Sequence, residues 1–111
     1  MKLSVPLDAL VYLVKGDDDV LLQETVHDLV HALVGGGDRT LMVDELDVAR
    51  YEIDGGTQIG PVVDAAQTPP FLTERRIVLA RHAGVFSTAD SVAPLLAYLA
   101  DPLPTTALVL V

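Results

Sequence analysis

The sequence contains no cysteine and little positive charge. Without cysteine there are no disulfide bonds, thiol nucleophiles or thiolate metal sites, which is compatible with a reducing compartment. Seven lysines and arginines stand against sixteen aspartates and glutamates, which gives a formal net charge of −9. Counterion release favours basic surfaces on nucleic acids and anionic lipids. We therefore expect this chain to bind neither DNA nor membranes directly.

The sequence also lacks an apolar run long enough to span a membrane. The run ALVYLV at residues 9–14 is far below the ~20 residues of a transmembrane helix. It lies between Asp8 and Lys15, unlike a signal peptide, so we expect a cytoplasmic protein. The 111 residues suffice for one domain with a hydrophobic core. Because the sequence stops within an apolar run, we expect residues 1–111 to be a single domain excised from a longer protein.

Strand and helix patterns alternate along the chain. ALVYLVKG predicts a strand buried on both faces. The next helix begins at Asp17-Asp18-Asp19, follows an apolar stripe from Leu22 to Leu33 and ends at Gly35. Further strands are predicted at residues 40–43, 76–80 and 106–111, and further helices at 57–67, or from Pro61, and at 91–100. This order predicts a three-layer α/β domain with a mostly parallel sheet, whose ligands bind at the carboxyl ends of the strands.

The turn after the first strand departs from a phosphate-binding loop. The motif G-x-x-x-x-G-K-[ST] would begin at Gly16, but Leu21, Leu22 and Gln23 occupy its last three positions. Three aspartates in the turn would also repel phosphate. The topology is that of a P-loop NTPase with a degenerate nucleotide site. A nucleotide-binding or NTPase domain of the same topology remains the alternative.

No other motif predicts catalysis. HDLVH resembles the zinc motif H-E-x-x-H, but His27 and His31 fall opposite the apolar helix face and should be solvated. A zinc hydrolase is therefore a weaker alternative. There is no G-x-S-x-G motif, and the acidic stretch DELD at residues 44–47 is more simply a solvated loop. We expect a non-enzymatic domain without metal or cofactor.

The segment TPPFLTERR combines two prolines with a large apolar pair, Phe71 and Leu72. One interpretation is that both side chains enter the core as the next strand begins. The other is an exposed anchor for a protein partner. Pro69 and Pro70 restrict the backbone, and an aromatic–aliphatic pair is typical of a binding hot spot.

Three stretches together resemble the delta subunit of bacterial DNA polymerase III, in its N-terminal domain. They are VYLVKGDDDVLLQETVHDL, PFLTERRIVLARHAG and LLAYLADPLPTTALVLV, and they cover nearly the whole chain. Each motif is loose, but their order and spacing are specific. The resemblance implies an AAA+-like fold that has lost its nucleotide site.

The resemblance also implies a role in DNA replication without nucleotide hydrolysis. In that family a large apolar pair before an E-R-R segment enters a pocket on the β sliding clamp and helps to open the ring. The matching residues are Phe71 and Leu72, with Pro70, Thr73, Glu74 and Arg75 beside them. Family members commonly have Leu then Phe, whereas this chain has the reverse order. Other clamp-loader subunits would be bound through domains beyond Val111.

Of the two arginines in this segment, we expect one to begin the strand. The other should pair with Glu74 or with a carboxylate of the clamp.

Overall fold

The computed structural model describes residues 9–53, 55–70, 73–86 and 89–111. The strands are Val11–Leu13 (β1), Val43–Leu46 (β2), Glu52–Ile53 (β3), Gly56–Thr57 (β4), Arg76–Ala80 (β5) and Thr106–Leu110 (β6). The α-helices are Asp19–Val34 (α1), Arg39–Met42 (α2), Val48–Tyr51 (α3), Gly60–Gln67 (α4) and Ala89–Ala100 (α5), and Ala83–Val85 forms a 3₁₀ turn.

Four strands form one parallel sheet in the order β1-β6-β5-β2. The central pairing aligns Arg76 with Thr106 and Ala80 with Leu110, and both strands are buried along almost their whole length. β3 and β4 form a separate two-stranded antiparallel ribbon. The predicted parallel α/β sheet is confirmed, and the strands predicted at residues 76–80 and 106–111 lie where expected.

Helices cover both faces of this sheet. Alternate residues of the central strands point to opposite sides, so Ile77 and Leu79 belong to one apolar cluster and Val78 and Ala80 to the other. α1 contributes its buried stripe to the first cluster, and α4 and α5 contribute to the second. The domain therefore has three layers, as the sequence predicted.

The boundaries of α1 follow from its capping residues. The Asp18 carboxylate accepts hydrogen bonds from the N–H groups of Val20 at 3.0 Å and Leu21 at 3.2 Å. At the other end Gly35 has φ of 59° and ψ of −124°, a conformation with positive φ that glycine adopts without strain. Both signals were readable from the sequence, and the predicted helix is confirmed.

The strand predicted at residues 40–43 is wrong. Asp38 caps a short helix by accepting a 2.9 Å bond from Thr40 N–H, so α2 occupies residues 39–42. The strand follows at Val43–Leu46 and contains Asp44 and Glu45, two of the acidic residues that were expected to form a solvated loop. β2 lies at the edge of the sheet, where polar side chains are common.

Two other expectations need correction. β1 is not buried on both faces, because it lies at the other edge of the sheet and leaves Leu13 65% exposed. The helix predicted from Thr57, or from Pro61, begins at Gly60, which is one residue from the second of these starts, and Thr57 belongs to β4. Within the described ranges, no helix is both long and apolar enough to cross a membrane.

The corrected position of β2 can be tested with two leucines. Leu46→Ala should lower the free energy of unfolding by about 2–5 kcal/mol, because Leu46 is fully buried. Leu41→Ala is the matched control, since Leu41 is 43% exposed on α2 and should change stability by less than about 1 kcal/mol. Urea unfolding followed by circular dichroism measures both. A larger loss of stability in Leu41→Ala than in Leu46→Ala would instead support the strand predicted at residues 40–43.

Candidate functional site

The segment with the apolar pair connects α4 to β5. Phe71 and Leu72 themselves lie outside the described residues, so the choice between core and anchor is not decided there. The residues on either side of the pair are described. They lie at the end of the sheet where the strands β5 and β6 begin. We call this end the amino edge, and it is not to be confused with the edge strands β1 and β2.

The amino-terminal side of the segment is anchored to the end of α4. Thr68 donates its backbone N–H to the Ala65 carbonyl at 3.2 Å and its hydroxyl to the Asp64 carbonyl at 2.8 Å. Thr68 then adopts an extended conformation, as expected for a residue before proline. Pro69 is exposed and Pro70 is half-buried. The chain thus leaves α4 in a fixed direction.

The carboxyl-terminal side is anchored by Arg76, the first residue of β5. Its guanidinium Nη2 lies 2.7 Å from Asp44 Oδ2 on β2, and its Nε donates to the Ala65 carbonyl of α4 at 3.2 Å. Its backbone N–H donates to the Thr105 carbonyl at 2.9 Å. Arg76 therefore connects β5 to β2, to the residue before β6 and to α4.

Three predicted site residues lie between the apolar pair and Arg76. Thr73 is half-buried and donates its hydroxyl to the Arg75 carbonyl at 3.0 Å. Glu74 is exposed and Arg75 is half-buried. The expectation that one arginine begins the strand is confirmed for Arg76. The pairing of Arg76 with Asp44 was not predicted, because Asp44 was expected to lie in a solvated loop.

The opposite edge of the sheet, the carboxyl edge, holds an apolar cavity of about 730 Å³. Its walls include Leu22, Phe86 and Leu95, near the ends of β1 and β6. Sheets of this type usually bind ligands at this edge. In nucleotide-binding relatives of this topology, the first N–H groups of the helix bind phosphate. Here the Asp18 carboxylate already accepts from two of them, and Leu22 occupies the position of the motif's lysine.

A histidine and an aspartate meet at the same edge. His82 Nδ1 lies 2.7 Å from Asp47 Oδ1, although the residues are 35 positions apart. Asp47 also accepts from Val48 N–H at 2.7 Å, and this bond, followed by the one to His82, lowers the pKa of the Asp47 carboxyl. His82 has a left-handed backbone with φ of 56° and precedes the 3₁₀ turn in the cavity wall. This pair could not be predicted from the sequence, because the second strand was expected to end at residue 43 and not at Leu46.

Tyr51 connects the end of β2 with the residue that follows β5, from the core side of both. It is fully buried, and its hydroxyl donates to the Arg81 carbonyl at 2.7 Å and is 3.3 Å from the Leu46 carbonyl. Burial, with a smaller effect from Asp47, raises the pKa of Tyr51 to about 12. The phenol therefore stays protonated and acts as a structural donor.

The two histidines of α1 are exposed, as predicted. The rings of His27 and His31 stack with their centroids 6.4 Å apart. In the described part of the chain, no group of three or more His, Cys, Asp or Glu side chains is arranged to hold a metal ion.

Replacing Arg76 tests whether it anchors the base of the segment. Arg76→Met keeps most of the aliphatic side chain but removes the bonds to Asp44 and Ala65, so the free energy of unfolding should fall by about 1–3 kcal/mol. Arg39→Met, at an exposed position on α2, is the control and should have an effect below about 0.5 kcal/mol. Equal effects in urea unfolding would show that Arg76 has no anchoring role.

The Asp47 carboxyl should titrate below its ordinary pKa of 3.8. Because the folded-state pKa is lowered, its contribution to stability is present above that value and is lost as the pH falls through the folded-state pKa. NMR titration of the side-chain carboxyl measures the midpoint. His82→Ala should raise it only in part, since the Val48 N–H bond remains. A midpoint at or above 3.8 in the unaltered chain would contradict the structure.

Comparison with known proteins agrees with the sequence resemblance. The family described as DNA polymerase III, delta subunit matches residues 12–111. No curated protein shows a significant match. The structure is similar to the Bacillus subtilis DNA clamp loader delta protein (YqeN), with 26% identity and a TM-score of 0.71. The match covers 92% of this chain and 30% of the Bacillus protein, so the chain spans less than a third of that relative. Since the family match extends over nearly all its residues, the chain belongs to the DNA polymerase III delta subunit family.

Proposed function

We propose that this chain binds the β sliding clamp and helps to open it during DNA replication, with Phe71 and Leu72 as the plug. Pro70, Thr73, Glu74 and Arg75 contact the clamp around the plug. The observation that carries the proposal is the anchored base of the segment. Thr68 on one side and Arg76 on the other tie it to α4, β2 and β6. Because both described ends of the segment are held in place, these ends lose little conformational entropy when a partner binds.

The plug supplies a large part of the binding energy. Burying one large apolar side chain is worth about 1.5–3 kcal/mol, so two contribute roughly 3–6 kcal/mol. The plug opens the ring only to the extent that it binds the opened clamp more tightly than the closed one. The domain therefore acts by differential binding.

Nucleotide hydrolysis has no part in this proposal. The Asp18 carboxylate accepts from the N–H groups of Val20 and Leu21, which a phosphate would otherwise use. The adjoining turn adds Asp17 and Asp19, whose charges oppose an anion. We further propose that the rest of a full-length delta subunit binds the other clamp-loader subunits, since this chain spans only part of its relative.

The plug is tested by the double variant Phe71→Ala, Leu72→Ala. Losing about 3–6 kcal/mol of binding free energy raises the dissociation constant more than a hundredfold, so binding to the clamp of the source organism should become undetectable. Calorimetric titration at two salt concentrations measures it, and the unaltered chain should bind at both, because apolar contacts are not screened by salt.

The matched control is Val20→Ala, Leu21→Ala. It removes two adjacent apolar side chains that are exposed on α1 at the carboxyl edge, and it should leave clamp affinity unchanged. Circular dichroism verifies that both variants remain folded. Unchanged affinity in the Phe71 and Leu72 variant would refute the plug, and absence of binding by the unaltered chain would refute clamp binding by this domain.

A further inference from the structure

A second concave surface lies at the amino edge, beside the plug segment. It has a volume of about 360 Å³ and we call it the amino-edge groove. Its walls come from the end of α4, the end of α5 and the loop before β6. The residues are Gln67, Tyr98, Asp101, Pro102, Leu103 and Pro104.

The groove is held in shape by Tyr98. This residue is 4% exposed, and its hydroxyl accepts from Leu103 N–H at 3.3 Å and lies 3.5 Å from the Ala66 carbonyl of α4. Asp101 N–H donates to the Tyr98 carbonyl at 3.0 Å. Prolines before and after Leu103 further restrict the loop. The groove is therefore formed before any partner arrives.

The groove adjoins the plug segment, which is the connection between α4 and β5 that contains Phe71 and Leu72. The Thr105 carbonyl, at the end of the groove loop, accepts from Arg76 N–H, at the end of the plug segment. Gln67 lines the groove and is two residues from Pro69. The groove therefore adjoins both described ends of the segment that contains Phe71 and Leu72.

The area needed for a specific complex also favours a second contact. A stable interface buries about 800 Å² on each partner. One aromatic side chain buries about 150–250 Å², so an aromatic–aliphatic pair supplies less than about two-thirds of that area. The remainder has to come from surface next to the plug, and the amino-edge groove adjoins it.

We propose that the amino-edge groove is a second contact site for the sliding clamp and receives a clamp side chain that has both an apolar and a polar part. Pro102, Leu103 and Tyr98 form the apolar walls, and Gln67 and Asp101 supply polar groups at the rim. This inference rests on the proposed function, because the occupant is the protein that the plug binds. It adds residues that the sequence analysis did not assign to the interface.

The test fills the groove from two sides. Gln67→Trp places an indole at the α4 wall and Asp101→Trp places one at the opposite wall, on a loop separate from the plug segment. Each should weaken clamp binding at least tenfold, which corresponds to about 1.4 kcal/mol. Gln23→Trp is the matched control, because Gln23 is exposed on α1 against the other face of the sheet, and its affinity should stay within twofold.

The outcomes separate this inference from the proposed function. If the plug variant loses binding while both tryptophan variants bind as tightly as the unaltered chain, the groove is not a contact and the plug stands. If only Gln67→Trp weakens binding, the effect comes from the neighbouring plug segment and the groove inference is wrong. If the unaltered chain does not bind the clamp, the proposed function and the groove both fail.

Discussion

Burial of β5 and β6 on both faces is the constraint on which the rest of the structure depends. Residues 77–80 and 107–110 are all at most 9% exposed, and their alternating side chains supply both apolar clusters. A parallel pair needs crossover connections, so every loop must emerge at one of two edges of the sheet. The amino edge carries the plug segment and the groove, and the carboxyl edge carries the acidic turn and the apolar cavity. The amino edge and the carboxyl edge present different side chains because different loops form them.

Arg76 connects this core to the proposed function. Its backbone belongs to the central sheet, while its side chain reaches Asp44 on β2 and Ala65 on α4. The Arg76 side chain is only 19% exposed, and the close Asp44 carboxylate forms a charge-assisted hydrogen bond with it. The same contacts set where the plug segment returns to the sheet. Arg76 is therefore a framework residue on which both the stability of the sheet and the proposed clamp contact depend.

Local signals in the sequence predicted the elements whose features are local. The aspartates before α1, Gly35 after it and the apolar runs of β5 and β6 each specify their own structure. β2 could not be predicted from local signals, because Asp44 and Glu45 are typical of a loop. Their place in a strand follows only from long-range features, namely the position of β2 at the edge of the sheet and the contact of Asp44 with Arg76. The exposure of Leu13 likewise depends on which strand lies next to β1. Both errors come from long-range pairing, which periodicity does not contain.

The candidate site shows the same division. The plug residues were predicted from a proline-rich segment and a family resemblance, whereas the Asp47–His82 pair and the amino-edge groove depend on residues more than thirty positions apart. Such sites become readable only when the ends of the strands are placed correctly. For Asp47 this means the end of β2 at Leu46.

Photo-cross-linking tests most directly whether the clamp is bound at the amino edge. Benzoylphenylalanine would replace Phe71 in one variant and Val85, which is 43% exposed in the wall of the carboxyl-edge cavity, in another. Irradiation with the clamp should yield a covalent adduct from position 71 and none from position 85. An adduct from position 85 alone would place the clamp at the opposite edge and contradict the account.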